Sequence, residues 1–266
     1  MTESALSRYA GELKAWREKL GVTQPQFADQ IGYSPALVAA IEQSRRSPTP
    51  AFAKACDAAT GAPGTFERWQ AQVTAESFPA FFAPVVEFEQ AAVRIHGWEL
   101  GAIPGLLQVE RYAEAVILAG YPGDSASSVS HIVTARMERQ ELMSSEAPML
   151  WYVLHEGVLR HQVGGRAVMV AQLDRLLELI ASRRIVLQVL PFTASDHPGV
   201  EGPITIFEFP ETATIAYTEC YGGGRIVEER GEVARLVTVM GALKSCALSP
   251  ADSATLIRDI RGELHG

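Results

Sequence analysis

Apolar residues at helical spacing open the chain. An amphipathic helix is predicted where they recur every three or four positions, at Leu6, Ala10, Leu13, Trp16 and Leu20. Gly21 then stands where such a helix would end. A further helical stretch at 52–59 precedes a break at 61–64, where two glycines and a proline interrupt the pattern.

Two shorter helices lie between these, each with its own start signal. Thr23 is followed by a proline and, three residues on, by a glutamine, while Ser34 is followed directly by a proline. We predict helices at 23–31 and 35–43, joined by a three- or four-residue turn that contains a glycine. This is the helix-turn-helix arrangement. The core of the domain is expected to contain Leu13, Phe27, Ala28, Ile31, Val38 and Ile41.

The pattern changes after residue 64. Helices are predicted at 86–98, 107–119, 127–144, 156–162, 166–182, 229–246 and 250–263. Strands are predicted at 149–154, 185–190, 204–209 and 214–219, and a turn at the three glycines 222–224. Because helices and strands do not alternate strictly, we predict an α+β class for this part. The expected organisation is an all-α helix-turn-helix domain at 1–62, a linker at 63–84 and an α+β domain at 85–266.

The charge balance limits where nucleic acid can bind. The chain has a net charge of -8, but residues 1–60 hold seven Lys or Arg against six Asp or Glu. Any DNA contact should therefore be local to the first domain. No apolar run reaches the ~18 residues of a membrane helix, and no signal-peptide core opens the chain, so we expect a cytoplasmic protein without a membrane partner. The scattered cysteines Cys56, Cys220 and Cys246 predict neither a disulfide framework nor a zinc site.

The predicted DNA contacts follow from how a recognition helix docks. Such a helix enters the major groove by its N-terminal end, which favours small or polar side chains there. The preceding helix should place a donor at its positive end, where a phosphate is attracted. Arginines near the recognition helix should clamp the DNA backbone. The expected contacts to double-stranded DNA are Arg17, Thr23, Gln24, Ser34, Pro35, Ala36, Leu37, Ala40, Gln43, Arg45 and Arg46.

A longer stretch adds a family resemblance. It reads ELKAWREKLGVTQPQFADQIGYSPALVAAIEQSRRSPTP and includes Thr23-Gln24, Ala28, Gly32, Ile41-Glu42 and Arg46-Ser47-Pro48. Over residues 5–60 the chain thereby resembles the XRE family of phage-repressor-like helix-turn-helix proteins. The resemblance implies a transcriptional regulator that binds DNA.

The second half carries a resemblance of its own. Its segments are IPGLLQVERYAEAV, ARMERQELM, HEGVLR, MVAQLDRLLEL, IVLQVLP and YTEC. Over residues 80–260 they resemble a C-terminal domain of actinobacterial XRE-type regulators, a domain of unknown function also described as an antitoxin-like regulator of the Scr1 type. The resemblance implies a regulator that is often encoded beside a small partner protein, and it implies no enzymatic reaction.

Two features depart from the XRE pattern. Ser44 stands where the family usually has a glycine, which predicts a distorted end of the recognition helix. Base-facing positions that often hold Gln, Arg or Asn are here Pro35, Ala36, Ala39 and Ala40. Alanine can touch a thymine methyl group but cannot bond to a base edge. Either specificity comes from few contacts and DNA shape, or the protein binds DNA poorly.

Candidate ligand or partner residues are scattered over the second domain. The set is Arg136, Arg139, Gln140, His155, Glu156, His197, Tyr217 and Glu219. The arginines on one helix face predict either an anion site or a solvated, ion-paired face, and the loop around His197 either a plain surface loop or a pocket lid. His155 and His161 lie six residues apart, whereas a zinc-hydrolase helix spaces its histidines by four. We expect no metal, no cofactor, no catalytic residue and no enzymatic activity.

Three functions stay open on the sequence. The first is a homodimeric transcriptional regulator whose second domain dimerises and senses a small-molecule effector or a small protein. Dimerisation is expected because one nearly neutral module should bind weakly, and two half-sites multiply the affinity. The second is an antitoxin-like protein that captures a small product of an adjacent gene and binds DNA to regulate itself. The third is an enzyme with a vestigial helix-turn-helix.

Overall fold

A computed structural model describes residues 4–78, 81–120, 126–143 and 148–264. The chain divides into two units, Met1–Ala83 and Pro84–Gly266. The described part of the first unit is helical, and that of the second combines helices with a six-stranded sheet. The predicted fold class, an all-α domain followed by an α+β domain, is confirmed.

The described first unit contains five helices. They are α1 (Ala5–Lys19), α2 (Gln24–Ile31), α3 (Pro35–Glu42), α4 (Pro50–Thr60) and α5 (Thr65–Ser77). Each of the first four begins at a Ser or Thr whose side-chain oxygen accepts a bond from the backbone N–H three residues on. These hydroxyls satisfy N–H groups that a helix start otherwise leaves unpaired. Left-handed glycines end α2 and α4, at Gly32 and Gly61.

An apolar core holds these helices together. All six residues predicted for it are buried: Leu13, Phe27, Ala28, Ile31, Val38 and Ile41. Tyr9 from α1 and Phe52 from α4 are buried in the same core. The Tyr9 ring meets the ring of Phe66 edge-on, with centroids 5.5 Å apart, so α1 also packs on α5.

The predicted linker at 63–84 is wrong, because the segment contains α5. Phe66 and Val73 of this helix are buried in the core of the first unit. The Asp57 carboxylate holds its start: one oxygen accepts from the Phe66 N–H at 2.9 Å and the other from the next N–H at 3.1 Å. Prolines and glycines on either side conceal this helical spacing in the sequence. Residues 79 and 80 of the segment lie outside the described ranges.

The second unit is built on a mixed sheet. Its described strands are β1 (Arg94–Glu99), β2 (Met149–His155), β3 (Ile185–Leu190), β4 (Ile204–Glu208), β5 (Ile215–Cys220) and β6 (Gly223–Val227). Their order across the sheet is β3-β2-β1-β4-β5-β6. The first three strands run parallel to one another, and the last three add antiparallel neighbours. Parallel and antiparallel pairing therefore meet at β1.

Helices precede the first strand, connect the three parallel strands and follow the last strand. They are α6 (Ala83–Ala91), α7 (Glu110–Gly120), α8 (Ala126–Glu138), α9 (Glu156–Arg160), α10 (Arg166–Ala181), α11 (Arg230–Cys246) and α12 (Pro250–Glu263). Parallel neighbours need such crossovers because one strand ends at the edge opposite to where the next begins. Short 3-10 turns lie at Gly105–Leu107, Arg139–Met143 and Gly199–Glu201. No described helix is long and apolar enough to cross a membrane.

The two faces of the sheet differ. One packs against α11 through an apolar cluster of Trp98, Val153, Leu190, Ile204, Ile206, Ala216, Val227, Val233, Met240 and Leu243. Side chains alternate between faces along a strand, so Ile95, Gly97 and Glu99 of β1 lie on the opposite face. We call that second surface the Glu99 face.

Three parts of the second unit differ from their predictions. The helix predicted at 86–98 ends at Ala91, and β1 follows it. The glycines at 222–224, predicted to form only a turn, lead into β6. The helix predicted at 127–144 gives way to a 3-10 turn after Glu138, and residue 144 lies outside the described ranges.

Close packing of tyrosine rings explains two of the glycines on the Glu99 face. A Cβ atom at Gly97 would lie 2.3 Å from Cε1 of Tyr152, and one at Gly224 would lie 2.0 Å from the hydroxyl oxygen of Tyr217. Both rings therefore lie across backbone that has no side chain.

Phe66→Ala should destabilise the first unit by about 3–5 kcal/mol, because it removes a fully buried ring from the core. Urea unfolding of the full chain measures the change. Gln72→Ala, on the exposed side of α5, is the matched control and should change stability by less than about 0.5 kcal/mol. Equal unfolding midpoints for the two variants would show that α5 is not part of this core.

Candidate functional site

Side chains within the helix-turn-helix fix where its two helices begin. Thr23 Oγ1 accepts from the Gln26 N–H at 3.5 Å, while Gln26 Oε1 accepts from the Thr23 N–H at 2.9 Å, which completes a capping box. Ser34 Oγ accepts from the Leu37 N–H at 3.3 Å at the start of α3. The two hydroxyls predicted to contact DNA therefore have a structural role as helix caps.

The start of α3 presents small side chains. Ser34, Pro35 and Ala36 are exposed, whereas Leu37 and Ala40 are half-buried. Leu37 also packs against the core of the first unit. Such a surface can approach the floor of a major groove closely, but it supplies few hydrogen bonds to base edges. Contact of these five residues with DNA stays a prediction.

A buried ion pair joins α1 to α3. Arg17 Nε lies 2.6 Å from Glu42 Oε1, and the two side chains are 12% and 3% exposed. The guanidinium also donates to Glu42 Oε2 and to the Val22 carbonyl, each at 3.1 Å. This two-pronged geometry is the strong form of an arginine–carboxylate pair. The structure gives Arg17 this internal role, and the phosphate contact that the sequence predicts for it stays a prediction.

Gln24 shares the same carboxylate. Its Nε2 donates to Glu42 Oε2 at 2.7 Å, so Glu42 links α1, α2 and α3. The bond holds Gln24 at the start of α2, where the positive end of the helix attracts a phosphate. Gln24 stays a predicted DNA contact. Glu42 is a positioning residue whose role the sequence analysis misses, because its partners lie 25 and 18 residues away.

The end of α3 is a left-handed turn at Ser44. This residue has a φ of 53°, and its N–H donates to the Ile41 carbonyl at 2.9 Å. The Arg45 N–H donates to the Ala40 carbonyl at 2.9 Å. These two bonds form a Schellman motif. The predicted distortion is therefore wrong: Ser44 completes the helix end, although a left-handed conformation strains a residue with a side chain.

Polar and charged side chains follow α3. Gln43 and Arg45 are exposed, and Arg46 is half-buried. All three lie within a few residues of the helix that would occupy the groove. Their contact with the DNA backbone stays a prediction.

Seven of the eight predicted ligand residues of the second unit fall into two groups. The first group contains four of them, Arg136, Arg139, Tyr217 and Glu219, together with Glu89, Glu99, Tyr112 and Tyr152. We call this group the Glu99 cluster. Loss of hydration raises the pKa of Glu219. The charges of Arg136 and Arg139 oppose this rise, which places both guanidinium groups near the Glu219 carboxylate.

The arginines of the Glu99 cluster bind other side chains of the unit. Arg139 Nε lies 2.8 Å from Glu89 Oε2, and both side chains are 7% exposed. Arg136 Nη1 donates to Gln108 Oε1 at 3.2 Å. The predicted ligand residue Gln140 lies nearby, but its amide donates to the carbonyls of Gly105 and Gln108 at 3.1 and 2.6 Å. Gln140 therefore stabilises a turn of the chain.

Glu99 is one of the four members of this cluster that the sequence analysis misses. It is the last residue of β1 and is partly buried. Burial and the charge of Glu219 raise its pKa to about 8. Strand pairing brings these two glutamates together from positions 120 residues apart. The local sequence around Glu99 contains no signal of such a site.

The second group of predicted ligand residues lies where β2 and β3 end. His155 Nδ1 accepts from the Gly157 N–H, and His197 Nδ1 accepts from the Gly199 N–H, each at 3.2 Å. The two ring centroids are 6.4 Å apart. Burial lowers the pKa of His155, and the nearby His197 lowers it further. No three potential metal ligands come together in the part of the chain that the structure describes.

Glu156, the third member of this second group, is a structural carboxylate. Its Oε2 accepts from the Phe192 N–H at 2.9 Å, and its Oε1 accepts from Arg160 Nε at 2.7 Å. Although burial opposes the change, these bonds lower the pKa of Glu156. The side chain therefore ties the start of α9 to the loop after β3.

The sequence analysis also misses a row of hydrogen-bonded polar side chains that includes Lys244 of α11. His96 Nε2 lies 2.8 Å from Glu208 Oε1, and Lys244 Nζ lies 2.9 Å from His96 Nδ1. The ammonium also lies 4.1 Å from the centre of the Trp151 ring. Burial lowers the pKa of both His96 and Lys244. A neutral His96 fits this row because Nδ1 must accept from the ammonium.

Two family matches agree with this division of the chain. Residues 8–69 match a helix-turn-helix domain, and residues 82–259 match a domain of unknown function, DUF5753. The chain belongs to the DUF5753 family. No curated protein and no solved structure matches it significantly. The first unit therefore contains the DNA-binding module, and the Glu99 cluster lies in the DUF5753 domain.

Glu42→Ala should destabilise the helix-turn-helix unit by about 3–5 kcal/mol, because it leaves the buried Arg17 without its carboxylate. Chemical denaturation of the full chain measures the loss. Glu18→Ala is the control, since Glu18 pairs with the same arginine at 3.9 Å but is 58% exposed, and its removal should change stability by less than about 1 kcal/mol. Similar losses in both variants would contradict the role of Glu42.

Glu99→Gln should remove a pH-dependent loss of stability from the DUF5753 domain. The folded domain keeps the Glu99 proton up to a pKa of about 8, whereas the unfolded chain releases it near 4.5. Stability of the natural chain therefore falls as pH rises between these values, and Gln has no proton to lose. Urea unfolding midpoints of both proteins, measured from about pH 5 to pH 9, test this prediction. The stability of the variant should increase relative to that of the natural chain as pH rises. A constant difference would contradict the shifted pKa.

Proposed function

We propose that the protein is a sequence-specific, DNA-binding transcriptional regulator of the cytoplasm that acts as a homodimer. In this proposal the DUF5753 domain dimerises and senses a small-molecule effector or a small protein. The observation that carries the proposal is the capped pair α2–α3, in which the exposed start of α3 is lined by small side chains. Such an end fits the way a recognition helix enters the major groove. The sequence resemblance supports the XRE type for the first unit and the Scr1 type for the second.

In this proposal phosphate contacts position α3 on the duplex. Gln24 binds a phosphate at the positive end of α2, and Arg45 and Arg46 bind phosphates beyond α3. Contacts of this kind supply most of the sequence-independent affinity. The acidic balance of the rest of the chain, which leaves a net charge of -8, supports the restriction of DNA contact to this unit.

Base readout by one unit should be modest. Residues 34–42 contain no Arg, Asn or Gln, so this stretch forms no bidentate contact with a base. Ala36 and Ala40 can touch thymine methyl groups. Two copies on half-sites ~34–36 Å apart would multiply the affinity, which is why we propose a dimer.

A second candidate function is that of an antitoxin-like protein. The observation that favours it is the charge of the chain, since the surplus of acidic residues lies beyond residue 60. An acidic DUF5753 domain would attract a small basic protein encoded by an adjacent gene. A pull-down with that gene product, with and without promoter DNA, separates the two candidates: capture supports the antitoxin-like function, and no capture favours an effector.

Arg45→Ala should weaken DNA binding about equally on all sequences and reduce the salt dependence, the slope of log affinity against log salt, by about one. Binding of the full chain to its own promoter and to unrelated DNA is measured over a range of salt. Arg258→Ala removes the same charge from an exposed position of α12 and should leave the slope unchanged. Altered sequence preference at unchanged affinity would contradict a phosphate contact for Arg45.

A further inference from the structure

We propose that Lys244 is a nucleophilic amine that captures small aldehydes as an imine, with His96 as the base that takes its proton. The DUF5753 domain would thereby have a covalent binding site for carbonyl compounds. This inference goes beyond the proposed function, because it requires neither DNA nor a second copy of the chain.

The amine of Lys244 is held against two neighbouring strands. His96 of β1 pairs with Trp151 of β2. The Lys244 Nζ lies 2.9 Å from His96 Nδ1 and 4.1 Å from the centre of the Trp151 ring. Trp151 Nε1 donates to Gln188 Oε1 at 2.9 Å, and Gln188 Nε2 donates to the Lys244 carbonyl at 3.3 Å. Contacts of both the side chain and the backbone therefore position this amine.

The His96 ring is bonded at both of its nitrogens. Its Nε2 lies 2.8 Å from one oxygen of Glu208, and the other oxygen of that carboxylate accepts from Arg94 Nη1 at 2.9 Å. A neutral His96 thus donates its Nε2 hydrogen to Glu208 and offers the Nδ1 lone pair to Lys244. The carboxylate stabilises the imidazolium that forms when Nδ1 takes a proton. An imidazole between a carboxylate and a nucleophile is the arrangement that orients a general base.

The surroundings of Lys244 favour the loss of its proton. Among the described residues the amine forms no ion pair, since the carboxylate of this row, Glu208, lies on the far side of the imidazole. A half-buried ammonium without an adjacent opposite charge loses hydration that is not fully replaced. Burial accordingly lowers the pKa of Lys244, although the charge of Glu208 opposes this. Nucleophilic lysines are activated by such loss of hydration.

The capture step balances with these two side chains and the aldehyde. The neutral Nζ of Lys244 attacks the carbonyl carbon and forms the C–N bond. His96 Nδ1 takes a proton from the nitrogen and passes it to the carbonyl oxygen, which gives a carbinolamine. The C–O bond then breaks as the C=N bond forms, and the second proton of the nitrogen follows the same route to the departing hydroxyl group. Both hydrogens of the amine leave with the oxygen as water, so no oxidant or reductant is needed.

Lys244 lies at the margin between the buried and the exposed side of α11. Leu243 before it is buried, whereas Ser245 after it and Gly241 one turn earlier are exposed. A Cβ atom at Gly241 would have nothing within 4 Å, so no neighbouring element covers the helix there. Lys244 itself is half-buried. A small aldehyde can therefore approach the amine from the solvent side of the helix.

Brief exposure of the full chain to propanal at about pH 7, followed by borohydride, tests the proposal. Borohydride reduces an imine to a stable secondary amine, and peptide mass spectrometry then gives the labelled fraction of each lysine. The other three lysines, Lys14, Lys19 and Lys54, are all exposed. We expect Lys244 to be labelled at least about tenfold faster than each of them, because a positioned base raises rates by about 10²–10⁴ and burial offsets only part of this. If Lys244 is labelled no faster than the exposed lysines, it is a structural ammonium and the proposal is overturned.

His96→Asn tests the base while it retains a hydrogen-bond acceptor. The asparagine oxygen can accept from Lys244 but takes no proton at neutral pH. The labelling rate of Lys244 should fall at least about tenfold, and the three exposed lysines should keep their rates. Glu208→Gln keeps an acceptor for Nε2 but removes the charge that stabilises the imidazolium, so it should also slow the labelling of Lys244. His161→Asn, at an exposed position, is the control and should change no rate. Unchanged labelling of Lys244 in both His96→Asn and Glu208→Gln would overturn the proposal.

The pH dependence of labelling separates an activated amine from one that is merely well placed. An ordinary exposed lysine amine becomes neutral only near about pH 10. Because burial lowers the pKa of Lys244, its neutral form is present at lower pH. The labelling rate of Lys244 relative to the exposed lysines should therefore fall as the pH rises from about 7 to 10. A ratio that stays constant over this range would overturn the activation of Lys244 and with it the proposal.

Discussion

The geometry of the DNA-binding unit depends on the carboxylate of Glu42. This side chain is 3% exposed, and it receives Arg17 from α1 and Gln24 from α2 while it belongs to α3 itself. A carboxylate so far from water is stable only with such partners. Any movement of α3 relative to α1 and α2 would separate the Glu42 carboxylate from Arg17 and Gln24. The recognition helix is therefore held at one position by the same interaction that orients the amide at the start of α2.

The two units use buried glutamates in opposite ways. Glu42 has its positive partner and its hydrogen bonds within the unit, so it fixes the position of α3. Glu99 has neither within the described residues, and its pKa is raised to about 8. A buried carboxylate with its partners in place fixes structure, whereas a partly buried one without them has a raised pKa. Glu42 therefore fixes the position of α3, whereas Glu99 makes the stability of the DUF5753 domain depend on pH.

Local signals in the sequence predict the first unit well. Hydroxyl caps, prolines at first turns and terminal glycines lie within a few residues of the helix ends they determine, so α2 and α3 agree with prediction. The role of Arg17 could not be predicted in this way, because its partner lies 25 residues away. The linker prediction fails because breakers on both sides hide the spacing of Phe66 and Val73. Ser44 shows a further limit, since a left-handed serine satisfies the same carbonyls that a glycine would.

The second unit was harder to predict because its site is assembled by strand register. β1 has charged residues at both ends and a glycine within, so its short apolar pattern does not separate it from the helix before it. Pairing of β1 with β4 and of β4 with β5 then brings Glu99 level with Glu219. No spacing along the chain contains that information. The two arginines, Tyr217 and Glu219 could be named as candidates from the sequence. The other four members of the cluster, Glu89, Glu99, Tyr112 and Tyr152, could not.

Competition binding at fixed salt tests the central claim most directly. The full chain is titrated onto labelled promoter DNA in the presence of unlabelled promoter or unrelated competitor, and a fragment of residues 1–83 is measured in the same way. The account predicts that both bind, that the fragment prefers promoter DNA only near the low end of the ~10³–10⁷ range, and that the full chain prefers it more strongly. A fragment as specific as the full chain would contradict the prediction that the small side chains of α3 give only modest base readout. A full chain that binds no DNA would contradict the account as a whole.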